Sequence, residues 1–189
     1  MTEEFEGHEV VQDMASRRRW PVILVWVFVF GLLGLLGFGL IRTQQGPIGI
    51  GDELPDLVLT TFDGESIPLR DLQRQQVVVI NFWASWCKPC EQEALELEQA
   101  YQLYKDAGVV FLGVDYVDTE TEARRYLEKF GISYPNGPDL GTRISQAFRI
   151  RGVPETYVAG KDGRLVAVKI GPYQSLSEIT QQIELALTN

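Results

Sequence analysis

The only cysteines of the chain, Cys87 and Cys90, stand on either side of Lys88 and Pro89 in the stretch Asn81-Phe82-Trp83-Ala84-Ser85-Trp86-Cys87-Lys88-Pro89-Cys90-Glu91-Gln92-Glu93. Two thiols at this spacing suit one of three tasks: redox exchange, half of a metal site, or a single structural bridge. A passive bridge across so small a loop removes little entropy from the unfolded chain and stabilises weakly. Soft metal ions suit paired thiolates, yet the single histidine, His8, lies far away and no third cysteine completes a site. Exchange asks only for one thiolate that attacks a foreign disulfide and a second thiol that resolves the mixed product.

The flanking residues supply what that chemistry needs. An apolar run, Val77-Val78-Val79-Ile80, leads in as a strand, and a run rich in Glu, Leu and Ala follows as a helix. Cys87 is then expected in the first helical turn, where unpaired backbone N–H groups and the positive dipole end favour a thiolate. Lys88 adds a cation, and Pro89 is tolerated because it falls in that first turn. Cys87 is the expected nucleophile and Cys90 the resolving thiol. Glu93 lies beside the inward stripe of the helix. It is either a first-turn acid favoured by the dipole, or a partly buried carboxyl with a raised pKa that exchanges protons with the thiols. Trp83 and Trp86 read as packing and shielding, with Trp86 also counted among residues that a substrate meets. Asn81, on a buried strand, is expected to hydrogen-bond neighbouring backbone.

Composition narrows the field. With 189 residues the chain is long enough for one domain with a real core and an accessory segment. A net charge of −9 argues against nucleic acid or an anionic lipid surface as the main partner. A disulfide-stapled miniature fold is excluded by the cysteine count.

The elements that must position the pair follow in order. Residues 1–19 are polar, with Glu3, Glu4, Glu6, Glu9 and Asp13 ahead of Arg17-Arg18-Arg19, and read as a tail in which His8 is an incidental surface residue. From Pro21 to Ile41 no residue is charged. A helix of that length spans roughly 30 Å, enough for a bilayer core. It is longer than a signal-peptide core and lacks a small-residue cleavage site, so it reads as an uncleaved anchor over residues 20–41. Three arginines precede the span and Arg42 follows it, which by the positive-inside rule puts the N-terminus in the cytoplasm and the rest outside. Residues 42–50 read as a linker and 51–189 as the soluble domain.

Within that domain, Leu57–Thr61 and Ser66–Leu69 flank Asp63-Gly64 as a hairpin, and Val77–Trp83 is a strand buried on both faces. The following helix has Cys90, Ala94, Leu97, Tyr101 and Tyr104 inward. Val109–Val114 is the next strand. Thr119-x-x-Glu122 opens a helix that stops at Gly131, with Ala123, Tyr126, Leu127 and Phe130 inward. Tyr134–Pro138 is a short strand or loop, and Thr142 caps a brief helix. Glu155–Ala159 and Arg164–Ile170 form a hairpin, and Ser175-x-x-Glu178 opens the last helix. This is an α/β plan, a mixed sheet with helices on both faces: a thioredoxin-like fold with additions and an N-terminal transmembrane helix.

The stretch from Asn81 to Cys90 resembles the active-site signature of membrane-anchored TlpA/DsbE-type thioredoxins. Gly152-Val153-Pro154-Glu155-Thr156 resembles their cis-proline loop, and Gly51-Asp52-Glu53-Leu54-Pro55-Asp56, Gly113-Val114-Asp115 and Lys161-Asp162-Gly163 fit as well. The similarity runs from about Gly51 to the C-terminus. It implies an extracytoplasmic thiol–disulfide oxidoreductase with a redox-active Cys87–Cys90 disulfide, often a reductant in cytochrome c biogenesis. It supports the proton-exchanging role of Glu93 and a cis Pro154, a bond that would leave the Val153 backbone open to an extended substrate strand; Glu155 reads as a second carboxyl near the site or as a solvated side chain. General thioredoxins carry a buried acid where this chain has Asn81, whereas Asn is usual in the anchored branch; Gly160 replaces a common Asp.

The expected partners are extracytoplasmic thiol proteins, apocytochrome c foremost, together with a membrane electron donor, because one cysteine pair cannot relay electrons inward by itself. No cofactor and no metal are expected. An oxidant that installs disulfides keeps the same fold with the direction reversed, and a metal-binding Cys-x-x-Cys module is a third reading. A peroxidase reading lacks the Thr-x-x-Cys arrangement that peroxiredoxin sites resemble.

Overall fold

The computed structural model describes residues 20–43, 48–72 and 76–188. The tail 1–19 with His8, and residues 44–47 of the expected linker, lie outside that description. The chain divides into two compact units, Met1–Gly46 and Pro47–Asn189.

Among the described residues of the first unit, a helix, α1, runs from Trp20 to Thr43. Its stretch Trp20–Gly39 is long and apolar enough to cross a membrane. Trp26 and Phe30, one turn apart, stack with ring centroids 5.6 Å apart. Helix α1 continues two residues past the expected anchor boundary.

The second unit begins earlier than the linker reading allowed. Ile48 is buried and its N–H donates to the Phe148 carbonyl, so residues 48–50 belong to the domain. A two-stranded antiparallel hairpin comes first, β1 (Val58–Thr60) with β2 (Ser66–Pro68). Gly64 takes a φ of 85° in its turn, a conformation that glycine adopts without a Cβ clash. A short helix, α2 (Leu69–Leu72), follows.

The core sheet has five strands in the order β5-β4-β3-β6-β7. Strand β3 (Val77–Trp83) is central and buried along its whole length. It pairs in parallel with β4 (Val109–Tyr116), which pairs in parallel with β5 (Asn136–Asp139). On its other side β3 pairs antiparallel with β6 (Glu155–Ala159), and β6 antiparallel with β7 (Leu165–Ile170). This is the mixed sheet that the element pattern predicted.

Period-2 alternation divides the side chains of β3 between two faces. Val78, Ile80 and Phe82 join Leu112, Tyr157 and Phe148 in one core, into which helix α5 (Arg143–Phe148) and the hairpin also pack. Val77 and Val79 face the other way, toward Leu97 and Ala100 of α3 (Lys88–Tyr104) and Ile179 and Ile183 of α6 (Leu176–Thr188). Trp83, at the end of β3, joins Cys87, Cys90, Ala94, Ala123 and Tyr126 in a third cluster beneath α4 (Glu120–Phe130).

The inward face of α3 is rotated from the expected stripe. Its buried residues are Cys90, Glu93, Ala94, Leu97 and Ala100, while Tyr101 and Tyr104 are half-buried. Helix α4 is capped as its sequence dictates: the Thr119 hydroxyl accepts the Glu122 N–H, and Gly131 closes the helix at a φ of 64°. Thr142 precedes α5 but makes no side-chain cap. The Asp139 carboxylate takes that place, accepting the N–H groups of Ile144 and Ser145.

Candidate active site

The end of β3 and the start of α3 place the sulfurs. Cys87 is the N-cap of α3, one residue outside the helix where the first-turn reading put it, and Pro89 falls within the first two helical residues. Cys87 and Cys90 form a disulfide, with Cα atoms 5.3 Å apart. The Cys90 N–H lies 3.2 Å from Cys87 Sγ. That donor and the positive end of the α3 dipole both face the Cys87 sulfur, surroundings of the kind that favour a thiolate over a thiol. Lys88 contributes less than expected. Its ammonium is exposed and pairs with Glu91, which also takes Lys129, and the contact with Lys88 holds the Glu91 carboxyl below its usual range.

Glu93 is buried in the structure, where a plain first-turn acid would be solvated. It is 1% exposed, and both carboxylate oxygens accept bonds: Oε1 from Asn81 Nδ2 at 2.9 Å, Oε2 from the Tyr173 N–H at 2.8 Å. Burial pushes the carboxyl from its ordinary 4.5 up to about 7, against the lowering pull of those two bonds and of the Lys169 charge. The Asn81 amide also donates to Thr156 Oγ1 at 2.9 Å. Asn81 thus spans α3 and β6 by side-chain bonds, where the sequence reading expected it to bond backbone. The reason is strand register. Asn81 and Thr156 are cross-strand partners on the face that α3 covers.

Pro154 follows a cis peptide bond from Val153, and its carbonyl accepts the Gly171 N–H. Val153 is half-buried and packs against Trp83, Cys87 and their neighbours. Glu155 does not join the sulfurs as a second carboxyl. It is buried on the opposite face from Glu93, where its oxygens accept the Arg151 N–H and the Tyr157 hydroxyl, each at 2.7 Å. A one-residue step along β6 from Thr156 explains the placement, since successive side chains alternate faces.

The two tryptophans diverge. Trp83 is buried, stacks on Tyr126 at 4.5 Å and donates to Asn136 Oδ1 at 2.8 Å. Trp86 is 57% exposed beside Cys87, steadied by a 3.2 Å bond from its indole N–H to the Val117 carbonyl. Between α3 and α4 lies a groove of about 150 Å³ lined by Ser85, Glu91, Glu122, Arg125, Tyr126 and Lys129. It is smaller than ordinary small-molecule pockets. Among the described residues no group of His, Cys, Asp and Glu is placed to hold a metal ion.

Sequence reasoning missed four participants. Tyr173 and Thr156 complete the Glu93 network, and Asp118 accepts the Ser85 N–H at 2.7 Å in the turn before Cys87. Asp115, fully buried nearby on β4, is the fourth. Only Asp115 carried a signal in sequence, as a charged residue closing an apolar strand.

Comparison with known proteins agrees with this geometry. Residues 50–168 match the AhpC/TSA family. A thiol-disulfide oxidoreductase ResA of Bacillus cereus is 33% identical over 143 residues, which is 74% of this chain and 82% of the relative. A ResA of Halalkalibacterium halodurans is 30% identical over 159 residues, 84% of this chain and 90% of the relative. Two solved structures share the fold. A thioredoxin-family thiol:disulfide interchange protein of Chlorobium tepidum matches with a TM-score of 0.66 at 23% identity, covering 74% of this chain and 98% of that one. A secreted disulfide oxidoreductase of Mycobacterium tuberculosis matches at 0.62 and 20%, covering 69% and 96%. With sulfurs bonded at a helix mouth and relatives of one named activity, the chain belongs to the AhpC/TSA family and is a thioredoxin-like thiol–disulfide oxidoreductase of the ResA/DsbE type.

Proposed function

We propose that the protein is a membrane-anchored reductant that keeps the haem-attachment cysteines of extracytoplasmic apocytochrome c reduced. The observation that carries the reading is the pairing of the Cys87–Cys90 disulfide with a buried carboxyl, Glu93, whose pKa near 7 suits proton exchange with a thiol at neutral pH. The Cys87 thiolate attacks one sulfur of the substrate disulfide, releasing the other as a thiolate that takes up a proton. Cys90, deprotonated as it attacks, then displaces the substrate from Cys87. The substrate leaves with two thiols and this protein keeps the disulfide. Glu93 accepts the proton that Cys90 gives up. The Val153 backbone beside Pro154 pairs with an extended substrate chain, and Trp86 covers its flank. Glu155 acts from the opposite face, by holding the Arg151 N–H at the approach to that loop.

The order of segments follows from this role: residues 1–19 as a cytoplasmic tail, 20–41 as the anchor, and the thioredoxin-like domain outside. A membrane thiol protein returns Cys87–Cys90 to the dithiol state. An oxidant running the same exchange backward differs only in the relative stability of dithiol and disulfide. The test equilibrates the protein with glutathione to obtain its reduction potential, then offers the reduced form an oxidised Cys-x-x-Cys-His peptide. A reducing potential with peptide reduction is expected. A potential more oxidising than that of the peptide would refute the reductant.

A further inference from the structure

The carboxyl of Asp115 is 1% exposed, and neither of its oxygens receives a hydrogen bond from a donor group among the described residues. Buried polar groups are bonded almost without exception, so such a carboxyl calls for an account. A charged carboxylate without donors is costly in the interior, and the group resolves the cost by staying protonated.

Its position connects it to the thiol site. Asp115 is the register partner of Trp83, the last residue of β3 before the turn that carries Ser85, Trp86 and Cys87. The segment after Asp115 is bound to that turn at two points. Asp118 Oδ2 accepts the Ser85 N–H at 2.7 Å, and the Val117 carbonyl accepts the Trp86 indole. Val117 has a φ of 48°, a left-handed conformation unfavourable for a β-branched residue, and it sits between the two acids. Strain of this kind persists where surrounding contacts impose it.

The groups around Asp115 are few. From β3 comes Trp83, from β5 Pro138, and α4 brings Ala123 and the phenol of Tyr126 to the cluster around Trp83. Glu93 reaches the same face two residues back along β3, through Asn81. The cations Arg125 and Lys129 of α4 are committed to Glu122 and Glu91 at the surface. Burial pushes the carboxyl up to about 8, and Asp118 adds to it twice, by its charge and as a carboxylate within reach of the protonated Asp115 O–H.

We propose that Asp115 is a positioning acid of the thiol site: in its neutral form it lets Asp118 grip the turn that presents Cys87, and its ionisation breaks that grip by like-charge repulsion. Nothing covalent is involved. The proton leaves Asp115 for solvent, Asp118 is driven from the Ser85 N–H, and the turn before the nucleophile loosens. The cysteine pair is thereby held in its reactive pose below the titration of Asp115 and released above it. Although the proposal rests on the thiol-exchange reading, its two measurements separate the two.

Cys87 alkylation by iodoacetamide is followed across pH in the reduced wild type and in Asp115→Asn and Asp118→Asn. Wild type shows an inflection near pH 8 beyond the thiol's own titration. Asp115→Asn loses it, and Asp118→Asn, with the repelled charge removed, loses it too while its Asp115 carboxyl titrates at lower pH. Infrared spectra of the oxidised proteins report the acid directly, through a protonated-carboxyl band present at neutral pH, lost in alkaline solution and missing from Asp115→Asn. Should Asp115→Asn fail to fold, the wild-type band and the Asp118→Asn shift decide. Coincident alkylation profiles, or no such band in the wild type at neutral pH, overturn the proposal. Failure of the wild type to reduce any disulfide counts against thiol exchange and leaves the band untouched.

Discussion

Replacing Glu93 with Gln separates what this residue does as a charge from what it does as a brace. The side chain keeps its size, and Gln Oε1 still accepts from Asn81. The second position then offers an NH₂ to the Tyr173 N–H, donor against donor, where Glu93 Oε2 accepts at 2.8 Å. That leaves one buried donor unpaired, a cost of about 1–3 kcal/mol that does not change with pH. The titration effect is distinct. With a folded pKa near 7 against an ordinary 4.5, the native state holds a proton that the unfolded chain has released. For an acid shifted upward, the favourable contribution is whole below pH 4.5 and declines as pH rises through about 7. Its full size is roughly 3 kcal/mol at about 1.4 kcal/mol per pKa unit. Urea unfolding of the oxidised wild type and Glu93→Gln at a series of pH values reads both effects. The variant should be the less stable at low pH and should lose most of that deficit by neutral pH, because only the wild type carries the titration. Parallel stability curves would refute the reasoning, for they would mean that Glu93 titrates alike in the folded and unfolded chain.

Other outcomes follow from neighbouring contacts. Asn81→Ala strips donors from both Glu93 and Thr156, and a loss of about 2–4 kcal/mol in urea unfolding is expected, with the Glu93 titration moved further up. Gly113→Ala should destabilise by about 2 kcal/mol or more and perturb Trp83 fluorescence, because the new Cβ would lie 1.6 Å from Asn136 Oδ1, the acceptor of the Trp83 indole. Thr119→Ala, which removes the cap of α4, is expected to cost about 1 kcal/mol and to leave the thiol reaction unchanged.

The parts of this molecule that were legible in its sequence are those set by local pattern. A near-continuous apolar run identified β3 as a strand buried on both faces, Gly64 marked the first hairpin, and Thr119 and Gly131 bounded α4. Cys-x-x-Cys after a strand located the site by itself. What stayed hidden depends on register between distant segments. Thr156 meets Asn81 across 75 residues and Tyr173 meets Glu93 across 80. Glu155 was misplaced for the same reason: a one-residue difference along β6 decides which face a side chain takes, and the sequence of a strand buried on both faces holds no polar alternation to reveal it. Asp115 is a further case. Sequence reasoning read it only as part of Gly113-Val114-Asp115, and its burial, at 1% exposed, is set by tertiary packing that no local pattern reports.

The central claim is that Cys87 exchanges bonds with sulfurs of other proteins. Mass spectrometry of the Cys90→Ser variant, mixed with an oxidised protein substrate, tests it most directly. The account predicts a stable mixed disulfide on Cys87, absent when Cys87 is also replaced by Ser and discharged at once in the wild type. A Cys90→Ser protein that stays unmodified while its Cys87 thiol is demonstrably reduced would contradict it.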